Sequence, residues 1–137
     1  MVRKATAVWN GGLKDGSGKL STGSGAFQDK AYSFRMRFED EPGTNPEELI
    51  AAAHAGCFSM ALSAQLGERG IVPVSVDTTS AVTMEGLAIV SSALTTKVVA
   101  PGADRAKIKE AADAAKVGCP ISKVLNAEIT LDLTIEA

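Results

Sequence analysis

Strict alternation of apolar and polar residues marks the C-terminal end of the chain. The apolar positions there are Ala127, Ile129, Leu131, Leu133 and Ile135. This pattern predicts a strand with one buried and one exposed face, which favours an antiparallel sheet. Residues 32–38 alternate in the same way, with Phe34 and Phe38 on one side and Arg37 on the other. They predict a second strand, with Arg37 close to its end.

Helical signals follow this second segment. Asn45 is a favourable N-cap, Pro46 suits the first helical position, and Glu48 stands three residues after the cap. The pattern predicts a helix from Pro46 to about residue 66. The positions expected on its apolar face recur at helical spacing: Leu49, Ala53, Cys57, Met60 and Ala64.

The remaining patterns complete an α+β order. The other predicted strands and helices cover residues 5–10, 19–24, 72–84, 87–99, 104–117 and 119–125. The first four of these ranges are strands and the last two are helices. The resulting order, βββ-α-ββ-αα-β, predicts an α+β fold. A chain of 137 residues suits one domain, so we expect a single domain over 1–137.

Composition and charge narrow the function. Apolar residues make up 45% of the chain and the net charge is −2, without a basic tract, which disfavours nucleic-acid binding. The first residues lack the apolar segment of a signal peptide, and no apolar run is expected to span a membrane. We therefore expect a cytoplasmic protein. There a stable structural disulfide is unusual, so Cys57 and Cys119 indicate a redox or catalytic pair.

The two cysteines occupy different predicted environments. Cys119 precedes Pro120 and is expected at a helix N-cap, where the helix dipole lowers the pKa of a thiol. The alternative is a small buried residue at a helix junction, and local sequence leaves both readings open. Cys57 lies on an apolar helix face, where burial raises the pKa of a thiol, so a core cysteine is the simpler reading for it.

A cation would change the reading of Cys57. Arg37 precedes the helix by a short loop, and its guanidinium would stabilise a thiolate and hold a peroxide oxygen. The alternative is an arginine on a solvent-exposed strand face. Glu47 is a candidate to orient Arg37. It lies ten residues before Cys57, about 15 Å along a straight helix, so the two residues cannot touch directly.

His54, the only histidine, is a candidate metal ligand. It precedes Cys57 by three residues and shares its helix face. A site built from His54, Cys57 and Cys119 would need a further ligand. The sequence contains no dense cluster of ligands, so we predict neither a metal nor a cofactor.

Two segments resemble the osmotically inducible and organic-hydroperoxide-resistance (OsmC/Ohr) family. Residues 37–62 include Gly-Thr-Asn-Pro-Glu-Glu-Leu and Ala-His-Ala-Gly-Cys-Phe-Ser-Met-Ala-Leu, and residues 118–122 read Gly-Cys-Pro-Ile-Ser. The order of predicted elements is also similar, so the resemblance covers nearly the whole chain. In the Ohr branch an early glycine-rich loop supplies the arginine, whereas in the OsmC branch it comes from the strand before the helix. Segment 10–18 holds Lys14 but no arginine, so the chain resembles the OsmC branch.

This resemblance implies antiparallel sheets around a long central helix, in an intertwined homodimer with sites at the interface. It implies a thiol peroxidase that reduces organic hydroperoxides, and hydrogen peroxide less well, with a dithiol reductant such as a lipoylated protein. By match, Cys57 attacks the peroxide and Cys119 closes a disulfide, while Arg37 activates the thiolate and Glu47 positions Arg37. Apolar residues are expected to receive the substrate: Phe38, Leu49 and Met60.

Overall fold

The computed structural model describes residues 1–137, the whole chain, with six strands and four helices. It divides into two compact units, residues 1–49 and residues 50–137. The single-domain expectation stays a prediction.

The first unit is built on a small antiparallel sheet. Its strands are β1 (Ala5–Asn10), β2 (Ser17–Thr22) and β3 (Lys30–Tyr32), in the order β1-β2-β3. A short helix, α1 (Phe34–Phe38), follows β3. The predicted first strand is confirmed, and the second lies two residues earlier than expected.

The predicted strand over 32–38 is wrong, because β3 ends at Tyr32 and the chain turns into α1. Ser33 caps this helix, and its Oγ accepts a hydrogen bond from the Met36 backbone N–H at 3.2 Å. The rings of Phe34 and Phe38 pack with centroids 5.0 Å apart. A spacing of four residues satisfies both a strand face and a helix face, so apolar spacing alone could not separate the two.

The second unit contains the larger sheet. Its strands are β4 (Ser75–Glu85), β5 (Ala88–Val99) and β6 (Glu128–Glu136), in the order β4-β5-β6. Helix α2 (Pro46–Glu68) lies in this unit apart from its first turn. Helices α3 (Arg105–Gly118) and α4 (Pro120–Val124) connect β5 to β6. These elements confirm the predicted α+β order.

The expectation of antiparallel sheets fails at the last strand. β4 and β5 are antiparallel, but β5 and β6 are parallel, in register from Ser91 opposite Glu128 to Val99 opposite Glu136. A parallel pair needs a long crossover, and α3 with α4 provides it. The predicted alternation of β6 is present, but alternation reports one-sided burial and not the direction of a neighbouring strand.

The core of the second unit lies between helices and sheet. Its fully buried apolar side chains come from α2, β5 and α3: Phe58, Leu62, Leu66, Leu94, Val98, Ile108, Ala111, Ala112 and Ala115. On α2 the buried positions are His54, Phe58, Leu62 and Leu66. The predicted face is therefore wrong: Ala53 and Ala64 are exposed, and Met60 is 77% exposed. Small apolar residues of α2 lie on every side of the helix, so the spacing of apolar residues did not identify the buried side.

Helix α2 also corrects the expectation about membrane-spanning length. The helix has 23 residues, and an 18-residue window within it has a mean hydropathy of 1.4, so it is long and apolar enough to cross a membrane by length and composition. The core helix of a globular unit meets the same criteria, and three α2 side chains are fully buried in the core. Helix α2 is thus weak evidence for a membrane.

Candidate active site

The two cysteines meet in the second unit. Cys57 lies on α2 and Cys119 lies between α3 and α4, and their Sγ atoms are 2.9 Å apart. Both are free thiols. Cys119 is fully buried, whereas Cys57 is partly exposed at the edge of the apolar core. Only a small movement separates this contact from a disulfide bond.

Cys119 occupies the predicted N-cap of α4, with Pro120 at the start of the helix. Burial disfavours its thiolate. Hydrogen bonds from the Cys57 thiol and from Ser122 and Ile121 at the start of α4 favour the thiolate. Together they outweigh the effect of burial, so the pKa of Cys119 lies below its usual value. The N-cap position and the lowered pKa agree with the expectation drawn from Pro120.

Cys57 shows the opposite shift. Burial raises the pKa of its thiol, and the hydrogen bond to Cys119 and the proximity of that sulfur raise it further. The backbone N–H of Ile121 opposes these effects but does not cancel them. Cys119 is therefore the more acidic of the two thiols, and a positive charge placed near Cys57 would favour its ionisation.

The predicted pair of Arg37 and Glu47 forms within the first unit. Arg37 lies on α1 rather than on the predicted strand, and Glu47 lies in the first turn of α2. The guanidinium donates to the carboxylate through Nη2 at 2.8 Å and through Nε at 3.0 Å. Asn45 fixes this turn as predicted, because its Oδ1 accepts from the Glu48 backbone N–H at 2.8 Å. Glu47 therefore holds the Arg37 fork in one orientation.

An aromatic pocket adjoins Arg37 in the first unit. Its cavity of about 260 Å³ is lined by Trp9, Leu13, Tyr32, Ser33, Phe34, Arg37 and Phe38. The Arg37 guanidinium lies 5.1 Å from the centre of the Phe38 ring. Most of the wall is apolar, and Arg37 supplies its charged group. Such a site suits a small organic molecule with one polar end.

Gly18 shapes one side of this pocket. It stands on β2 opposite both Trp9 on β1 and Tyr32 on β3, and the rings of these two residues meet with centroids 5.4 Å apart. A Cβ at Gly18 would lie 2.8 Å from the Trp9 ring and would overlap Tyr32. The absence of a side chain therefore lets the two aromatic rings pack together.

Only one of the three predicted substrate-binding residues lines this pocket. Phe38 does, whereas Leu49 is half-buried on α2 and Met60 is largely exposed. Four further lining residues were not predicted from the sequence: Trp9, Leu13, Tyr32 and Phe34. A signal was available, since four of the six aromatic residues of the chain line this one cavity.

His54 is buried between two serine hydroxyl groups. Its Nδ1 lies 2.6 Å from Ser92 Oγ and its Nε2 lies 2.8 Å from Ser122 Oγ. Both ring nitrogens are thus engaged by hydroxyl groups. No group of three or more histidine, cysteine or acidic side chains is arranged to hold a metal ion.

Comparison with known proteins identifies the class. The OsmC-like protein family matches residues 38–134, and the chain belongs to this family. It is 50% identical to Peroxiredoxin OsmC of Escherichia coli strain K12, over 98% of this chain and 97% of that protein.

More distant relatives agree with this assignment. The chain is 33% identical to the organic hydroperoxide resistance protein of Xanthomonas axonopodis pv. citri, over 68% of this chain and 67% of that protein. The crystal structure of the organic hydroperoxide resistance protein OhrB of Bacillus subtilis has a TM-score of 0.67 at 26% identity, over 95% of this chain and 97% of that one.

Proposed function

We propose that this protein is a thiol peroxidase that reduces organic hydroperoxides to alcohols, and hydrogen peroxide less well. The observation that carries the proposal is the 2.9 Å contact between the free thiols of Cys57 and Cys119. Peroxide reduction by a thiol needs a second thiol to remove the oxidised product, and this pair supplies it. Family membership and the names of the relatives support the same activity.

The proposed reaction has two steps in the protein. The Cys57 thiolate attacks the terminal peroxide oxygen, the O–O bond breaks, and the alkoxide takes a proton to leave as alcohol. Cys57 is then a sulfenic acid. The Cys119 thiolate attacks this sulfur, a disulfide forms, and the hydroxide takes a proton to leave as water. A dithiol reductant, for which a lipoylated protein is our candidate, reopens the disulfide by exchange.

Arg37 is the proposed source of a positive charge that favours ionisation of Cys57. Its hydrogen bonds to Glu47 use Nε and Nη2, which leaves the Nη1 donors for an oxygen or sulfur. A guanidinium stays charged at all relevant pH values and stabilises charge that develops on the departing oxygen. In this proposal Glu47 keeps the fork fixed and Arg37 activates the thiolate.

The aromatic pocket supports an organic substrate. A peroxide with a carbon chain would place its apolar part against the rings and its O–O group towards Arg37. Hydrogen peroxide has no apolar part and gains nothing from these rings. We therefore propose that the rings distinguish organic peroxides from hydrogen peroxide.

We further propose a homodimer with sites at its interface and action in the cytoplasm. The exposed side of α2 carries Met60 beside small residues, Ala53, Gly56 and Ala64, which would allow a second copy to approach closely. The reducing cytoplasm would return the disulfide to thiols.

Peroxide consumption by three proteins tests the function. Wild type, Cys57→Ser and Cys119→Ser are supplied with cumene hydroperoxide and a dithiol. We expect wild type to turn over and Cys57→Ser to be inactive. Cys119→Ser should consume about one equivalent and keep a sulfenic acid that dimedone labels. Full activity of Cys57→Ser would refute the assignment, and dimedone labelling of Cys119 in that variant would reverse the two roles.

A further inference from the structure

A chain of hydrogen-bonded hydroxyl groups includes His54, the only histidine. Ser80 Oγ on β4 lies 2.9 Å from Ser92 Oγ on β5, which lies 2.6 Å from His54 Nδ1 on α2. On the other side of the ring, Nε2 lies 2.8 Å from Ser122 Oγ on α4. His54 and Ser92 are fully buried, and Ser122 is 8% exposed. Four elements of the second unit thus contribute to one continuous hydrogen-bonded path.

This path ends beside the thiol pair. Ser122 lies in the first turn of α4, and Cys119 is the N-cap of that turn. The hydroxyl and the backbone N–H of Ser122 both favour the thiolate of Cys119 and lower its pKa. The hydroxyl group of Ser122 thus bonds to His54, and Ser122 lies three residues after Cys119 in the turn that Cys119 begins.

Every member of the path can both donate and accept a hydrogen bond. If Ser122 donates to a Cys119 thiolate, it accepts from His54 Nε2–H, and His54 Nδ1 then accepts from Ser92. If Cys119 is protonated, every bond can reverse. A neutral imidazole permits this reversal because its proton can sit on either nitrogen. Burial lowers the pKa of His54, which keeps the ring neutral.

We propose that His54, acting through Ser122, is a positioning residue for Cys119 that conducts the Cys119 proton towards Ser80 and leaves a thiolate ready to attack the Cys57 sulfenic acid. The step needs no redox partner. Cys119 gives its proton to Ser122, Ser122 gives its own to Nε2, Nδ1 gives its proton to Ser92, and Ser92 gives its own to Ser80. The half-buried Ser80 passes a proton to solvent, and His54 ends neutral in its other tautomer.

The other titratable groups at the path are the two thiols. The hydrogen-bond partners of His54 are both serines, and the pKa of His54 is shifted by burial alone. No carboxylate or ammonium group joins the path to serve as a fixed acceptor or donor. The proton must therefore travel through hydroxyl groups and the imidazole.

The first test leaves peroxide out, because the inference rests on the proposed function and must be separable from it. In the Cys57→Ser background, Cys119 is the only thiol, and its ultraviolet thiolate absorbance is titrated against pH. We expect Ser122→Ala to raise the pKa of Cys119 and to lower the thiolate population at neutral pH about tenfold. Ser122→Thr should restore it. An unchanged titration in Ser122→Ala would overturn the link between Ser122 and Cys119.

The second test follows disulfide formation in the two-cysteine protein after a single turnover with peroxide. His54→Gln keeps a donor towards Ser122 but cannot pass a proton between two nitrogens. We expect it to slow disulfide formation about a hundredfold, with loss of the solvent deuterium isotope effect on that step and an unchanged rate of sulfenic acid formation. Ser92→Ala, which interrupts the path beyond His54, should act similarly and serves if His54→Gln does not fold.

The matched control is Ser59→Ala. Ser59 on α2 belongs to a second hydroxyl chain, with Oγ 2.8 Å from Thr78 Oγ1 and Thr78 3.0 Å from Thr96, that contains no histidine. Ser59→Ala should leave both the Cys119 titration and the rate of disulfide formation at wild-type values.

A wild-type rate of disulfide formation and a wild-type isotope effect in folded His54→Gln or Ser92→Ala would overturn the relay. A wild type that consumes no peroxide would refute the proposed function, and the thiolate titration would still report on the path.

Discussion

The Cys119 sulfur lies 2.9 Å from the Cys57 sulfur although 62 residues separate the two cysteines in the chain. The intervening segment includes the rest of α2, the β4–β5 hairpin and α3. The contact therefore joins the middle of one helix to the end of another across most of the second unit. A covalent bond at this point would restrain a long loop.

Oxidation should stabilise the protein against unfolding. A disulfide that closes a loop of this length lowers the entropy of the unfolded chain by an amount worth about 4 kcal/mol, before any strain in the folded state. We expect urea denaturation of the oxidised protein to have a higher midpoint than that of the reduced protein. Cys57→Ser should give the same midpoint with and without reductant. Equal midpoints for oxidised and reduced wild type would contradict this expectation.

Arg37→Ala should slow the reaction with peroxide about a hundredfold, since loss of one donor to a developing oxyanion typically has an effect of this size. Arg35→Ala is the matched control on the same helix, because Arg35 makes only an exposed ion pair with Glu39 at 3.4 Å. Stopped-flow measurement of Cys57 oxidation compares the two. Similar rates for both variants would remove Arg37 from the mechanism.

The stability of the protein should fall as pH drops below 6.5. Burial lowers the pKa of His54 below its ordinary value of 6.5, so the unfolded chain binds a proton in a pH range where the folded chain does not. This contribution is fully present above 6.5 and is lost as pH falls towards the lower pKa of the folded state. The slope is at most about 1.4 kcal/mol per pH unit for one proton. Urea denaturation across this range should show a weaker dependence in His54→Gln.

Gly18→Ala should impair reduction of organic hydroperoxides more than reduction of hydrogen peroxide. A Cβ at Gly18 would displace the rings of Trp9 and Tyr32 and alter the pocket that we propose for the carbon chain. Gly67→Ala is the control, since a Cβ there meets nothing within 4 Å. The ratio of kcat/KM for cumene hydroperoxide to that for hydrogen peroxide is the measurement. An equal loss on both substrates would indicate general damage to the fold.

Local signals predicted the helix ends well, because capping depends on a few neighbouring residues. Asn45 and Pro46 fixed the start of α2, and Pro120 fixed Cys119 at the start of α4. The identity of the buried side of α2 was beyond these signals. Burial of Phe58 rather than Met60 depends on how the helix meets a distant sheet. The parallel pairing of β5 with β6 depends in the same way on the path of the crossover.

The same distinction between local signals and long-range contacts applies to the residues of the candidate site. The cysteines and the pair of Arg37 and Glu47 were recognisable because each lies in a short segment that resembles a family. The hydrogen-bond partners of His54 are distant in sequence: Ser92 is 38 residues further along the chain and Ser122 is 68 residues further. No local sequence pattern predicts these hydrogen bonds. The aromatic pocket was missed for a similar reason, since Trp9 and Tyr32 meet only across β2.

The position of Trp9 gives the protein a built-in optical probe. It is the only tryptophan in the chain, it is 37% exposed, and its indole N–H donates to the Gly11 carbonyl oxygen at 3.1 Å. Emission excited at the indole therefore comes from one wall of the aromatic pocket and from nowhere else. A peroxide or its alcohol product entering that pocket would displace water from the ring. Ligand entry can thus be followed in the unlabelled protein, independently of any change at the cysteines.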